Sequence, residues 1–397
     1  MMNATQFWQF GHSMGAVEET ILEITTTAPN QTFEWKNVVG NVVAYDWDNG
    51  IVNKSNTHTF QEAGTYTIKI IGNISNFQAN SPLVTKIIRV AQTIKNFDYS
   101  FSYCANLVSI PQGLFDKNVN VTRFNSVFSG CSNLTSIPTG LFDKNVNVTD
   151  FWGVFSGCSN LTSIPTGLFD KNVNVTRFNG VFIGCSNLTS IPAGLFDKNV
   201  NVTSFNGVFS GCSNLTSIPA GLFDKNVNVT SFNNVFYNCS NLTSIPAGLF
   251  DKNVNVTDFS NCFYGCNKLT IIPKYLFDKN VNATNFYYCF GFCINLTSIP
   301  KGMFDKNVNA TDFRYCFAYC RNITSIPESL FDKNVNATNF RNCFYDCYSL
   351  TNRPKPHGLE MWQIAGTNGR PTNISIKGVF KNCHTMPDYN SLPNDVK

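Results

Sequence analysis

The chain has 397 residues, of which only 14% are charged, and its net charge is +4. Because the basic residues are scattered, the composition does not favour nucleic-acid binding, which needs Lys and Arg clustered on one face. No stretch is long and apolar enough to span a bilayer as a helix, so we expect no membrane insertion.

Residues 1–15 contain no basic segment followed by a continuous apolar run, so the sequence predicts no secretory signal. We interpret these residues as an N-terminal arm or attachment segment. A protein that is released by cell lysis, such as a component of a phage particle, needs no such signal.

Residues 16–96 have the pattern of a small β-domain. Segments 21–27, 31–35, 42–47, 64–71 and 83–90 are short, rich in β-branched or aromatic residues, and end at turn-forming residues. No helical spacing of apolar residues is present. Several short strands in so small a segment predict a β-sandwich.

Three motifs in this segment carry a family resemblance. Residues 45–50 have the sequence Tyr-Asp-Trp-Asp-Asn-Gly, residues 58–60 have the sequence His-Thr-Phe, and residues 63–68 have the sequence Ala-Gly-Thr-Tyr-Thr-Ile. This resembles the polycystic-kidney-disease (PKD) domain, with Tyr45, Trp47 and Asn49 in place of the family's Trp, Phe and Asp. The resemblance implies an immunoglobulin-like spacer. We interpret His58 as a hydrogen-bonded structural residue rather than a ligand.

Residues 97–366 consist of ten copies of a 27-residue repeat, followed by a C-terminal cap with a partial repeat at 367–397. Units of this size cannot bury a core alone and must stack on their neighbours, so the repeats predict a solenoid. The anchor residues of the ten repeats are Phe97, Phe124, Phe151, Phe178, Phe205, Phe232, Phe259, Phe286, Phe313 and Phe340.

We number each repeat from its anchor Phe. Positions 1, 4, 5 and 8 are apolar, a spacing that predicts a helix of about two turns capped by a preceding Thr such as Thr122. A Leu-Thr-Ser-Ile-Pro segment and an alternating Asn-Val-Asn-Val-Thr segment predict short parallel strands. The expected fold class is therefore α+β, a β-sandwich followed by a solenoid with one helix and short strands per rung.

The chain has 15 cysteines, and most of them follow the repeat. Ten occupy position 8, and Cys262, Cys289, Cys316 and Cys343 occupy position 4, which is Val in earlier repeats. A Cys that replaces Val in a core column behaves as a small apolar residue, so we expect buried thiols. No His lies at a matching spacing, so we expect no metal site and no cofactor.

The segment Phe-x-x-Cys-x-x-Leu-x-x-Ile-Pro, as at residues 155–165, resembles the leucine-rich repeats of BspA-like bacterial surface proteins and phage tail proteins. The resemblance covers about two thirds of the chain and implies an adhesin or recognition module. The 27-residue length and the constant Leu-Phe-Asp-Lys-Asn-Val-Asn segment depart from that family.

The repeats differ mainly at positions 2, 3, 6, 7 and 9, on the outward face. Repeats two to five carry mostly Asn, Ser and Gly there, whereas later repeats carry Tyr and Arg, which are typical of recognition surfaces. Drift on a solvent face and packing against the tail or another subunit are the alternatives. The predicted binding residues are Tyr237, Tyr264, Tyr287, Tyr288, Phe292, Arg314, Tyr315, Tyr319, Arg321, Arg341, Tyr345 and Tyr348.

The Asp-Lys-Asn-Val-Asn segment, as at 116–120, resembles the opening of a calcium-binding loop, but it lacks the following Gly and the late Glu. We therefore favour asparagine ladders that satisfy turn backbones.

The last unit departs from the period, since Arg353 replaces the usual Ile and Cys383 follows Cys347 after a nine-residue insertion. Such an atypical unit is expected to cap the stack.

No catalytic triad, Cys-His pair or acid pair is present outside the repeat columns, so we expect no enzyme. The first hypothesis is a phage or prophage tail-associated protein that binds a host-surface protein or glycan, and hence an extracellular, virion-associated location. The alternatives are a bacterial cell-surface adhesin and a structural or decoration protein that uses the Tyr/Arg face for subunit contacts.

Overall fold

The computed structural model describes residues 17–397 except 49 and 51, so the predicted N-terminal arm lies outside the described residues. The chain divides into two compact units between Val175 and Thr176, and each is described by itself. Unit 1 contains the β-domain and the first three repeats, and unit 2 contains the later repeats and the C-terminal cap. Within the described residues, no helix has the length and hydropathy that crossing a membrane requires.

The β-domain of unit 1 has two antiparallel sheets. The larger sheet has the strand order β4-β3-β6-β1-β7, and the smaller sheet pairs β2 with β5. The strands are β1 (Glu19–Thr26), β2 (Gln31–Glu34), β3 (Lys36–Asp46), β4 (Val52–Asn53), β5 (Thr57–Phe60), β6 (Gly64–Gln78) and β7 (Val84–Arg89).

Aromatic side chains fill the core of the β-domain. Trp47 is fully buried, and its ring lies 6.4 Å from both Phe33 and Phe60. The imidazole of His58 stacks on Trp47 at 5.4 Å, and burial lowers its pKa. His58 therefore belongs to the aromatic packing, and the PKD resemblance itself stays a prediction.

The described repeats contain no α-helix, so the predicted two-turn helix is wrong. In the repeat that begins at Phe286, the amides at positions 4, 6 and 8 donate to carbonyls three residues earlier, which forms a series of turns. The amides at positions 1, 3, 5 and 7 donate to the next rung, as in the 2.9 Å bond from Phe290 to Cys316. Half of the amides are thus used between rungs, and none remains for a helical ladder.

The predicted parallel strands are also reduced. Within unit 2, the residue before each anchor Phe forms a one-residue parallel bridge with its equivalent in the next rung, as between Ser231 and Asp258. A second kind of bridge joins Ser298 and Ser325. The rungs are therefore joined by single bridges and by the alternating amides rather than by continuous strands.

Three columns of phenylalanine form the core of the stack in unit 2. The rings at positions 1, 5 and 19 each stack on their equivalent in the next rung. The centroid separations range from 5.4 Å, between Phe263 and Phe290, to 6.3 Å, between Phe223 and Phe250. Full burial of each ring stabilises the stack by about 1.5–3 kcal/mol, which explains why these columns hardly change between repeats.

The segment Asn-Val-Asn-Val-Thr does not alternate as the sequence predicted. Asn280 is fully buried, Val281 is 44% exposed and Ala283, in the second Val position, is buried. The Asn280 amide donates to the carbonyls of Phe250 and Asn253 in the preceding rung, at 3.1 and 2.9 Å. The asparagines of this column therefore form a buried ladder that pairs turn carbonyls, as we favoured over calcium binding.

The 15 cysteines are all free and buried, which confirms the expected thiols. The position-8 thiols also have a polar role, because from the second repeat onward each described contact joins the sulfur to a carbonyl of the preceding rung, and Cys104 contacts the Ala79 carbonyl. Cys239 Sγ, for example, donates to the Phe209 carbonyl at 3.2 Å. Cysteine at this position thus combines apolar volume with a weak hydrogen-bond donor.

The β-domain closes the N-terminal end of the stack in unit 1. Phe77 of β6 packs on Phe101 at 5.4 Å, and the amide of Asn118 donates to the Ala91 and Ile94 carbonyls at 3.0 Å. Asn118 is the first asparagine of the ladder, so residues 91–94 take the place of a preceding rung.

The cap at the C-terminal end of unit 2 contains 3-10 helices at Pro356–Gly358, Met361–Gln363 and Tyr389–Ser391. Arg370 is 4% exposed and donates to the Asn334 and Phe331 carbonyls, the acceptors that a further ladder asparagine would use. Arg353 joins Glu360 and Asp388 at 2.5 and 2.7 Å. These two arginines explain why the period ends here.

Candidate recognition surface

Positions 3 and 7 of each rung have left-handed backbone conformations. The fifth repeat has glycine at both, with Gly207 at φ 66° and Gly211 at φ 73°. Glycine adopts this region freely, whereas other residues are destabilised there by roughly 1–2 kcal/mol. The turns of the rung therefore favour glycine, and a larger side chain at these positions costs stability.

The eighth and ninth repeats nevertheless carry aromatic residues at these positions. Tyr288 and Phe292 have φ of 52° and 60°, and Tyr315 and Tyr319 have φ of 55° and 64°. All four side chains are half-buried at the surface of unit 2. The sequence predicted these residues to face outward, which the structure shows, although it places them on left-handed turns and not on a helix.

The rings of neighbouring rungs contact each other across the surface. Tyr288 stacks on Tyr315 at 4.4 Å, and Phe292 stacks on Tyr319 at 3.9 Å. Tyr264 lies 5.3 Å from Tyr288 and 5.1 Å from Phe292, which joins the two stacks. We call this continuous set the aromatic face. Its members are Tyr237, Tyr264, Tyr287, Tyr288, Phe292, Tyr315, Tyr319 and Tyr345.

Two of the predicted arginines pack on tyrosine rings. Arg314 lies 5.0 Å above Tyr287 and forms an ion pair with Asp312, while Arg321 lies 5.1 Å above Tyr348. Arg321 also pairs with Asp346 at 3.0 Å, so the Arg321–Tyr348 pair lies beside the aromatic face without joining its ring contacts.

Arg341 is the exception among the predicted residues. Its side chain is exposed, and within the described residues it has neither a ring contact nor a carboxylate partner.

Burial changes the acidity of the phenols on the aromatic face. It raises the pKa of Tyr288 well above its ordinary value, with Tyr315 and Tyr287 adding to the effect. Burial also raises the pKa of Tyr264 and Tyr319. A phenol is protonated at neutral pH even without such a shift, so these hydroxyl groups can donate hydrogen bonds there.

Other surface features were missed by the sequence analysis. In the seventh repeat, Tyr275 replaces the usual glycine at φ 67° and is 54% exposed, with the Lys274 amine 4.5 Å from its ring. Ile271, 63% exposed, replaces the usual serine. Comparison of whole repeats, rather than of their first nine positions, would have identified both.

Unit 1 has an aromatic group of its own. Tyr99 is 39% exposed and lies 6.4 Å from Trp152, and Tyr103 is 67% exposed.

A shallow groove of about 640 Å³ follows the outer edge of four rungs in unit 2. Its walls are asparagines and threonines such as Asn282 and Thr284, whose side chains donate to carbonyls of the preceding rung. Within the described part of the chain, no group of three or more His, Cys, Asp or Glu side chains could hold a metal ion. The groove is therefore explained by the regular stacking of the rungs.

A family model described as "Mycoplasma protein of unknown function, DUF285" matches residues 54–192, 95–220 and 149–272. These overlapping matches run together from residue 54 to residue 272, which is more than half of the chain. A search of curated proteins found no match.

Solved structures similar to the chain include leucine-rich repeat proteins. A leucine-rich repeat protein from Bacteroides ovatus is 18% identical, over 78% of this chain and 81% of that one, with a TM-score of 0.26. An internalin from Listeria monocytogenes is 9% identical, over 58% and 76%, with a TM-score of 0.22.

A TLR13–ssRNA13 complex is 12% identical over 72% of this chain, with a TM-score of 0.29. The match covers 45% of that chain, so this protein spans less than half of its length. All three scores are too low to carry an argument about this chain. The BspA-like resemblance stays a prediction.

Proposed function

The chain belongs to the family described as Mycoplasma protein of unknown function, DUF285, and from this premise we propose that it is a non-enzymatic recognition or adhesion protein. Its proposed binding surface is the aromatic face of unit 2 together with Arg314, Arg321, Arg341 and Tyr348. The proposed partner is a protein or glycan on a host surface.

The observation that carries this proposal is the use of aromatic residues where the backbone favours glycine. Tyr288, Phe292, Tyr315 and Tyr319 occupy left-handed positions, although glycine fills them in the fifth repeat of the same chain. Each residue's left-handed backbone costs about 1–2 kcal/mol, while a ring pair stabilises by about 0.5–1.5 kcal/mol beyond the area that the half-buried rings bury. Half-exposed Tyr beside Arg is also the composition that dominates binding energy at interfaces.

The test is a triple variant in which Tyr288, Tyr315 and Tyr319 are replaced by glycine, the residue that other repeats use there. Tyr275→Gly is the matched control, because it also restores the usual glycine of its position but lies elsewhere on the rung. Labelled full-length protein is incubated with Mycoplasma cells and with animal epithelial cells, and binding is measured by flow cytometry.

We expect the triple variant to bind at least 30-fold more weakly, since losing interface tyrosines costs about 2 kcal/mol or more. Tyr275→Gly should bind as the unchanged protein does. Equal binding by the triple variant would contradict the proposal.

The two cell types distinguish the two hypotheses that the sequence left open, a phage tail protein and a bacterial cell-surface adhesin. Binding to Mycoplasma cells supports a phage or prophage tail protein that recognises its bacterial host. Binding to epithelial cells supports a bacterial surface adhesin. If the unchanged protein binds neither and light scattering shows oligomers that the triple variant loses, the face serves subunit contacts instead.

A further inference from the structure

Cations replace the neutral residues of position 2 in the last rungs of unit 2. This position is Ser260 in the seventh repeat and Tyr287 in the eighth, and then becomes Arg314, Arg341 and Lys377. The three cations share one register, because the Tyr315 amide donates to the Arg341 carbonyl and the Asn342 amide donates to the Lys377 carbonyl, both at 3.0 Å. We call Arg314, Arg341 and Lys377 the cationic column.

Two members of the cationic column are available to a ligand. Arg314 is neutralised by Asp312, but Arg341 and Lys377 are exposed and have no carboxylate partner within the described residues. The nearby carboxylate of Asp346 is buried and already accepts from Arg321 and Asn382. The end of the aromatic face therefore carries uncompensated positive charge, which attracts anions.

The stacked pairs of the aromatic face present ring edges and hydroxyl groups at the surface. The planes of Tyr288 and Tyr315 are within 12° of parallel at 4.4 Å, so each covers a face of the other. Phe292 and Tyr319 cover each other in the same way at 3.9 Å. A nucleic acid binds such surfaces mainly by stacking bases on open rings, and each of these stacks closes one face of both of its rings to a base.

The groups that remain are hydrogen-bond donors. The phenols of Tyr264 and Tyr288 are protonated at neutral pH, with burial raising their pKa further, and the free cations of Arg341 and Lys377 carry donors only. A ligand rich in acceptor oxygens and negative charge is complementary to this set.

We propose that the aromatic face and the cationic column of unit 2 bind a linear anionic glycan, such as a sulfated or carboxylated polysaccharide, that lies along the stack. This rests on the proposed recognition function and specifies its ligand class. Hydrogen-bonded backbones recur about every 4.8 Å, whereas an extended peptide presents side chains of one face only every ~6.6 Å. An acidic peptide would therefore lose register with the column, while a pyranose unit has nearly the length of one rung.

The experiment compares two full-length double variants that each remove two exposed positive charges. Arg341→Gln with Lys377→Gln removes the free charges of the cationic column. Lys306→Gln with Lys333→Gln is the matched control, because these lysines are exposed on neighbouring rungs but belong to the constant Asp-Lys-Asn segment. Binding is measured by titration calorimetry with heparin oligosaccharides, neutral dextran, polyglutamate and single-stranded oligodeoxythymidine.

We expect heparin oligosaccharides to bind the unchanged protein and the control alike, and to bind the Arg341/Lys377 variant at least tenfold more weakly. In that variant, a plot of log affinity against log salt concentration should have a slope smaller in magnitude by about two. Neutral dextran should not bind. An equal loss in both double variants would overturn the proposal, because it would indicate unspecific attraction of charge.

Polyglutamate or oligodeoxythymidine binding as tightly as heparin would also overturn it, in favour of an acidic peptide or a nucleic acid. The recognition function is judged separately by cell binding. If the glycine triple variant loses cell binding while no glycan binds, recognition stands and the glycan inference fails.

Discussion

Glycine and alanine variants of Tyr315 distinguish the left-handed turn seen in the structure from the helix that the repeat pattern predicts, because the two conformations give opposite orders of stability. At a φ of 55°, alanine is destabilised by about 1–2 kcal/mol, and glycine is not. The greater freedom of glycine in the unfolded chain removes about 0.4–1 kcal/mol of that advantage. Tyr315→Gly is therefore expected to be more stable than Tyr315→Ala by about 1 kcal/mol. In a helix the order reverses, because glycine is then less stable by about 1 kcal/mol.

The stability difference between the Tyr315→Gly and Tyr315→Ala variants reports on the backbone conformation, because the two variants lose the same side-chain contacts. Both variants lose the stacking of Tyr315 on Tyr288 at 4.4 Å, which stabilises by roughly 0.5–1.5 kcal/mol. Hydrogen exchange of the amides between Phe313 and Cys320 measures the local free energy of opening, since repeat proteins open unit by unit.

Ala318 supplies the control in the same rung, because it is buried and its backbone lies outside the left-handed region. Ala318→Gly should therefore destabilise the rung by about 1 kcal/mol or more. If Tyr315→Gly opens more readily than Tyr315→Ala, the described turn geometry is wrong.

Three further predictions concern the groups that hold the rungs together. Asn280→Ala should destabilise unit 2 by about 2 kcal/mol in denaturant unfolding, because two buried carbonyls lose their donor, whereas the exposed Asn282→Ala should cost under about 0.5 kcal/mol. Similar losses from both would argue against the buried ladder. Arg370→Met should destabilise the cap by about 2–4 kcal/mol, seen as faster proteolysis after residue 348, while Arg341→Met should not. All 15 thiols should resist Ellman's reagent in the native protein at mildly alkaline pH and react once guanidinium unfolds it, because all are buried, and burial raises the pKa of the Cys104 thiol to about 12. A thiol that reacts rapidly in the native protein would contradict this.

Comparison of the repeats with one another located the surface residues correctly for a reason that does not depend on the helix. When positions 1, 4, 5 and 8 face the core, the side chains at positions 3 and 7 of the eighth and ninth repeats lie on the other side of a compact coil. Tyr288 and Tyr315 are therefore at the surface whether the rung is a helix or a series of turns. Their role in recognition stays a prediction, and their contacts with each other could not be read from a single repeat.

The sequence was misleading where a side chain's partner lies in another rung. Polarity favours an exposed Asn280 and a buried Val281, yet the structure has the reverse. The reason is that stacking places two carbonyls, those of Phe250 and Asn253, within reach of the Asn280 amide. Those acceptors are in reach only when two rungs are adjacent, so the sequence pattern of a single repeat does not predict them.

The sequence alone determined that the chain is a repeat protein with a β-rich segment before the repeats, because a strict 27-residue period and the spacing of buried residues are properties of the chain itself. Only the tertiary structure decided the form of each rung. In the first eight positions of a rung, half of the backbone amides donate to carbonyls of the next rung. Those amides are not available for the hydrogen bonds of a helix, so the stacked rung forms turns with left-handed positions instead. The same stacking joins tyrosines of separate repeats into one surface, and it leaves Arg341 and Lys377 as the free charges at its end.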